Sequence, residues 1–165
     1  MPDVLEAYLD IETTGLYSRH DEITVVGIYL SNGTERFAQL VGEDITTDGI
    51  LSELEGATII YTYNGSRFDL PFIDCRLGLD LASLFEHRDL MYRCWSRNLY
   101  GGLKAVERQL GIERRLNDIN GYEAVRLWWR YINDYDQKAL ATLLAYNRED
   151  VINLKTLKER LLEVQ

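Results

Sequence analysis

Asp10 and Glu12 stand two residues apart at the end of Val4 to Asp10 (VLEAYLD), a run that alternates well enough for a strand. In a strand, positions i and i+2 face the same way, so the two carboxylates project together while Ile11 turns to the opposite layer. Two acids this close repel and raise each other's pKa unless a cation lies between them. Their hard oxygen donors suit magnesium or manganese better than zinc. Taken alone, an Asp-x-Glu followed by Thr13, Thr14 and Gly15 is more often a solvated strand end and turn.

Two other places offer carboxylates. Asp69 lies in the segment Asn64 to Phe72 (NGSRFDLPF), between an apolar run and the start of a helix. Asp there is a good helix cap, with Pro71 suited to a first turn. Yet the carboxyl ends of strands in open α/β sheets are also where ligands bind. Tyr146 and Asp150 are four apart in the final helical stretch, so they share one face and flank its leucine stripe. That places them toward the core, with Glu149 expected in solvent. Each signal is weak alone. Together, four acids from these places can converge on a pair of divalent ions about 3.5–4 Å apart.

The elements that must hold them follow from periodicity. Val4 to Asp10, Ile23 to Leu30 and Thr34 to Leu40 read as strands, with Ser31, Asn32 and Gly33 as a hairpin turn. They predict an antiparallel meander. Asp44 to Glu55 reads as a helix that Gly56 stops, Ala57 to Tyr63 as a buried parallel strand, and about Leu70 onward as a helix that Gly78 ends. Asp89 to Trp95 reads as a short strand. Three helices follow, marked by Leu103, Val106 and Leu110, then by Tyr122, Val125, Trp129 and Ile132, then by the leucines between about Asp136 and Leu162. The order predicts one α/β domain over residues 1–165 with a mixed sheet.

Three motifs carry a family likeness: Asp10-x-Glu12, Asn64-x3-Phe68-Asp69 and Tyr146-x3-Asp150. They resemble the exonuclease motifs of the DEDDy subgroup on the ribonuclease H-like fold. Leu9 to Leu16 (LDIETTGL), Phe68 to Phe72 (FDLPF), Asp89-Leu90, Gly101 to Glu107 (GGLKAVE) and Tyr146 to Val151 (YNREDV) more specifically resemble the YprB-like branch of predicted nucleases. The likeness covers about residues 8–157. It implies a five-stranded sheet ordered 3-2-1-4-5 with the first three strands antiparallel. It also implies two Mg2+ or Mn2+ ions and removal of nucleotides from the 3′ end of a single strand, DNA or RNA.

In that reading Asp10 bridges the two ions, Glu12 and Asp150 complete one ion's site, and Asp69 acts directly or through water. Tyr146 is an orienting hydrogen-bond donor rather than a base, since its ordinary pKa is about 10. Thr13, Thr14 and Leu16 are placed to meet the terminal nucleotide through backbone amides and an apolar wedge. Asn64 offers a hydrogen bond and Phe68 a stacking face, and Lys104 after Gly101 and Gly102 suits a phosphate. Asp89 is expected to support the metal ligands from behind or to pair with Arg88 or Arg93. His20 and His87 have no evident partner, and of Trp128 and Trp129 one ring should be buried and the other exposed.

A formal charge of −9 argues against a protein that coats nucleic acid non-specifically. The distribution is uneven: residues 1–60 carry twelve acids and two bases, residues 88–115 seven bases and three acids. Such asymmetry can set a basic wall beside an acidic pocket. No apolar run approaches the roughly 20 residues that span a bilayer, and Met1 to Val4 has no leader character. Cys75 and Cys94 have neither metal-type spacing nor disulfide partners and read as buried thiols, so a cytoplasmic setting is expected. The modest basic content implies weak, salt-sensitive substrate binding or a protein partner that delivers the strand. An endonuclease or resolvase on the same fold, a small-molecule phosphodiesterase, and a non-catalytic nucleic-acid or protein interaction module are the competing functions.

Overall fold

A computed structural model describes residues 4–31 and 33–163. The run before Asp10 forms strand β1 (Glu6–Thr13), which carries Asp10 and Glu12 inside the strand rather than at its end. Strands β2 (Ile23–Ser31) and β3 (Glu35–Val41) continue the antiparallel meander. Asn32, the centre of the expected hairpin turn, lies outside the described residues, as do residues 1–3. Helix α1 (Thr47–Glu53) is shorter than expected, because a separate 3-10 turn (Gly42–Asp44) precedes it and Thr46 caps it by accepting from the Gly49 amide. Strand β4 (Ile59–Thr62) and helix α2 (Asp69–Leu77) follow, the helix closed by Gly78 at φ 66°.

The expected strand at Asp89 to Trp95 is a correction. A short helix α3 (Leu81–Leu84) leads into strand β5 (Glu86–Asp89), and Leu90–Trp95 is helix α4. β5 is a polar edge strand, so no hydrophobic alternation marks it. The apolar residues behind it belong to a helix that Asp89 caps by accepting from the Met91 amide. Helices α5 (Leu103–Leu110), α6 (Gly121–Asp134) and α7 (Gln137–Glu163) complete the chain. α6 packs with Ala124, Leu127, Trp128 and Tyr131, leaving Tyr122, Trp129 and Ile132 exposed. Three of the four residues that mark this helix in the sequence are thus exposed, because it carries apolar residues on two faces. Of the two tryptophans expected to divide between core and surface, Trp128 is the buried one and Trp129 the exposed one.

The sheet order is β3-β2-β1-β4-β5, with β4 and β5 parallel to β1. Ala7, Leu9 and Ile11 face one apolar layer with Ile50, Leu54, Phe72 and Ile73 from α1 and α2. Tyr8 faces the other, with Val151, Leu154 and Leu157 of α7. Both faces of β1 are therefore covered, and Asp10 and Glu12 point with Tyr8 toward α7. No helix of the described residues is long and apolar enough to cross a membrane. Cys94 is buried, but Cys75 is exposed on α2, against expectation.

Candidate active site

β1 pairs with β4 only as far as Tyr8 and Tyr61. Beyond that register the two strands separate, and the Ile11 amide has no β4 carbonyl to meet. Asp69, at the first turn of α2, fills the gap: its Oδ2 accepts from the Ile11 amide at 3.0 Å. Asp69 is thus no helix cap for its own α2, whose N-cap Phe68 makes no side-chain bond. It is buried and ties the β4–α2 loop to the strand that carries the other acids.

α7 reaches Asp10 by lying directly on the sheet. Asp10 is opposite Gly27 of β2, and a Cβ at Gly27 would stand 2.2 Å from Asn147 Oδ1 and 2.8 Å from Val151 Cγ2. Through that opening Asn147 Nδ2 donates to the Asp10 carbonyl and to Asp10 Oδ2, both at 3.2 Å. Gln39 of β3 in turn donates to Asn147 Oδ1 at 2.9 Å and to the Leu144 carbonyl at 2.8 Å. One helical turn beyond Tyr146, Asp150 comes down beside the strand acids. Oxygens of Asp10, Glu12 and Asp150 lie within 4.8 Å of one another.

Three buried or half-buried carboxylates at that spacing fit a divalent cation, and Glu12 Oε1 is buried with no hydrogen-bond partner. Their protonation states show the same strain. Burial, then the Asp150 charge, holds Asp10 and Glu12 well above the ordinary carboxylate range. Burial pushes Asp69 up to about 7 and Asp150 up to about 6. Burial and the neighbouring acids likewise raise the Tyr146 phenol, so it stays protonated.

Arg114, like Asn147 and Gln39, is a residue that sequence reasoning missed. Its side chain is 4% exposed; Nε and Nη2 donate to Glu107 of α5 at 2.7 and 3.0 Å, and Nη2 also contacts Asp150 Oδ1. Burial alone would lower its pKa, and the two carboxylates outweigh that and raise it. Glu149 is not free in solvent as expected, since it accepts from the Arg115 and Leu116 amides, each at 2.9 Å, and so anchors the same loop.

The remaining residues are placed as follows. Lys104 Nζ sits 4.8 Å from the Tyr146 ring centre, and burial with the nearby Arg114 lowers its pKa. A cavity of about 380 Å³ beside it is lined by Lys104, Arg108, Tyr146 and Asp150. Thr13 and Thr14 turn their hydroxyls into their own loop, to the Gly15 carbonyl at 2.6 Å and to Asp21 at 3.3 Å, while Leu16 is exposed. Asn64 adopts φ 60° and leaves its Oδ1 buried without a partner. Phe68 packs edge-on against Phe72. Asp89 pairs with neither Arg88 nor Arg93. It accepts from the Asn64 and Ser66 amides and from Ser66 Oγ, fixing the β4–α2 loop. His87 does have a partner, Thr62 Oγ1 at 2.8 Å, and His20 is exposed.

Known proteins share this arrangement of chain. The family model described as RNase_H superfamily matches residues 7–162. YprB of Bacillus subtilis (strain 168), itself uncharacterized, is 32% identical over 91% of this chain, which spans 40% of that protein's length. The family B DNA polymerase of Pyrobaculum calidifontis superposes with a TM-score of 0.74 at 20% identity, covering 98% of this chain and 25% of the polymerase. Brucella melitensis NrnC bound to pGG gives 0.67 at 19% identity, covering 99% of this chain and 76% of NrnC. NrnC has also been solved with bound Mg2+.

Proposed function

The chain belongs to the RNase_H superfamily, and from that premise we propose that it is a 3′–5′ exonuclease of the DEDDy type and of the YprB-like branch. It hydrolyses the terminal phosphodiester bond of single-stranded DNA or RNA with two Mg2+ or Mn2+ ions. The observation that carries this reading is the meeting of Asp10, Glu12 and Asp150 within 4.8 Å, with Asp69 hydrogen-bonded to the strand between the first two. The polymerase and nucleotide-bound relatives support it through shared fold, and the two unpaired cysteines support a cytoplasmic setting.

Asp10, Glu12 and Asp150 would hold the metal, with Asp69 contributing the oxygen not bonded to Ile11. Bound there, divalent ions supply an activated water and charge stabilisation for the leaving 3′ oxygen. The protein's own groups do the rest. Asn147 and Gln39 fix Asp10, so its carboxylate needs little reorganisation on loading. Tyr146 keeps its proton at working pH and donates it as a hydrogen bond to the water or to a phosphate oxygen. Lys104 holds a phosphate beside that ring. Leu16 wedges against the terminal base, with Thr13 and Thr14 shaping the loop that presents it, and Asn64 and Phe68 close the other side.

The test is a time course on 5′-labelled single-stranded DNA and RNA with manganese, magnesium or EDTA, beside Asp10→Asn. A metal-dependent ladder shortening from the 3′ end and lost in the variant is the expected result. Internal cuts, cleavage of dinucleotides alone, or no cleavage would each replace this reading, with an endonuclease, a small-molecule phosphodiesterase or an interaction module respectively.

A further inference from the structure

Arg67, Arg93, Arg97, Lys104 and Arg108 have no carboxylate partner among the described residues. Contacts join the segments that carry them. Asp89 binds the loop that carries Arg67 to the start of α4. The Tyr63 hydroxyl donates to the Gly101 carbonyl at 2.5 Å, connecting the end of β4 to the entrance of α5. Lys104 on α5 then lies over Tyr146 of the acid site.

The topology fixes where this arrangement sits. β1, β4 and β5 are parallel neighbours, so their carboxyl ends share one edge of the sheet. Neighbouring strands are about 4.8 Å apart, which sets α4 roughly 10 Å across the edge from the acids on β1. That is the reach of a few nucleotides of a single strand.

The surface there is built from π faces and a guanidinium. Arg67 Cζ is 5.7 Å from the Tyr92 ring centre and 5.3 Å from that of Trp95, and its Nε donates to Tyr92 Oη at 3.1 Å. The two rings meet edge to face at 85°, and Tyr92 is 42% exposed. Asp89, three residues before Tyr92, is engaged by three amides and a hydroxyl. Guanidinium planes and aromatic faces stack on bases of any identity, and unpaired cations meet phosphates.

We propose that Arg67, Tyr92 and Trp95, with Arg93 and Lys104 alongside, form a track for single-stranded nucleic acid that leads to the acid site. This rests on the nuclease reading above, because the track is placed to feed those acids. Arg93 and Lys104 thus give the track its cations from the basic segment 88–115 of a chain whose net charge is −9.

The experiment is fluorescence anisotropy in EDTA, where no cleavage interferes, with labelled single strands of two and about twelve nucleotides. Wild type should bind the longer strand at least about ten-fold more tightly, and Arg67→Ala and Tyr92→Ala should each lose most of that gain. Dinucleotide affinity should move by less than about two-fold. Arg67 is exposed, so its variant tests the track even where Trp95→Ala fails to fold. Equal weakening of both lengths, unchanged binding of both, or full competition by a polyaspartate peptide would overturn the track. Length-dependent binding by a wild-type chain that cuts nothing with manganese would overturn the nuclease reading instead.

Discussion

Arg114 and Asp150 are in direct contact although 36 residues separate them, and the same guanidinium makes a two-point bond to Glu107. A buried positive charge is thus shared between α5 and the carboxylate that α7 brings to the acid cluster. It partly neutralises a group of acids that would otherwise repel without relief, and it orients the Asp150 carboxyl.

Arg114→Met leaves the Glu107 carboxylate buried without a counter-charge, with only the Asn153 amide at 3.4 Å to donate to it. Removing one partner of a buried pair costs about 3–5 kcal/mol, so the unfolding midpoint in urea should fall sharply. The double variant Arg114→Met with Glu107→Leu removes both charges and should recover much of the loss. A single variant as stable as wild type would show that the pair contributes nothing to the fold.

Asp69 and Asp150 titrate at about 7 and about 6, and Asp10 and Glu12 are raised well above the ordinary range, all chiefly by burial. A carboxyl with a raised folded pKa keeps a proton that the unfolded chain has released. Stability is then fully present below the unfolded value of about 4 and is lost as pH rises through the folded values. In EDTA, stability should fall between pH 5 and 8, by up to about 1.4 kcal/mol per pH unit for each carboxyl titrating. Manganese favours the ionised forms and should flatten that fall. Asp10→Asn should raise metal-free stability at pH 8 while abolishing cleavage. Thermal unfolding across this range checks the sign, and a midpoint that climbs with pH in EDTA would contradict it.

Gly27→Ala places a methyl group against Asn147 Oδ1 and Val151 Cγ2. Both atoms end side chains, but the Asn147 amide is held by Gln39 and Asp10 and Val151 is packed in the core, so neither can swing aside freely. Overpacking of this kind costs about 1–3 kcal/mol. The larger effect should be on Asp10, because lifting α7 breaks the Asn147 bonds that fix it. Manganese affinity, measured by calorimetry, should therefore weaken more than thermal stability falls.

The sequence exposed what is periodic or local. Asp10 and Glu12 were readable from strand alternation, and Tyr146 and Asp150 from helical spacing beside a leucine stripe. The sheet order came from the family likeness and matches the structure. What stayed hidden depends on tertiary contact. Asn147 meets Asp10 across 137 residues, Gln39 meets Asn147 across 108, and neither residue type marks itself as functional. β5 escaped because Glu86–Asp89 is polar, and the apolar residues that follow it drew the strand assignment onto a helix. The inward face of α6 was not legible because two apolar stripes compete on it and only packing against Val25 and Leu143 decides between them.

Tyr146→Phe separates the two things this residue offers. The ring stays, so the Lys104 and Arg114 cations still lie over it, at 4.8 and 5.9 Å from its centre. Only the hydroxyl goes. Burial and the surrounding acids keep that hydroxyl protonated, which makes it a donor and not a base. Losing an orienting hydrogen-bond donor, rather than an acid or base, should lower kcat by about 10- to 100-fold with KM little changed. The pH profile should keep its shape, since no group titrating in the working range has been removed. A profile that loses its basic limb in the variant would instead make Tyr146 the titrating group and overturn the donor role.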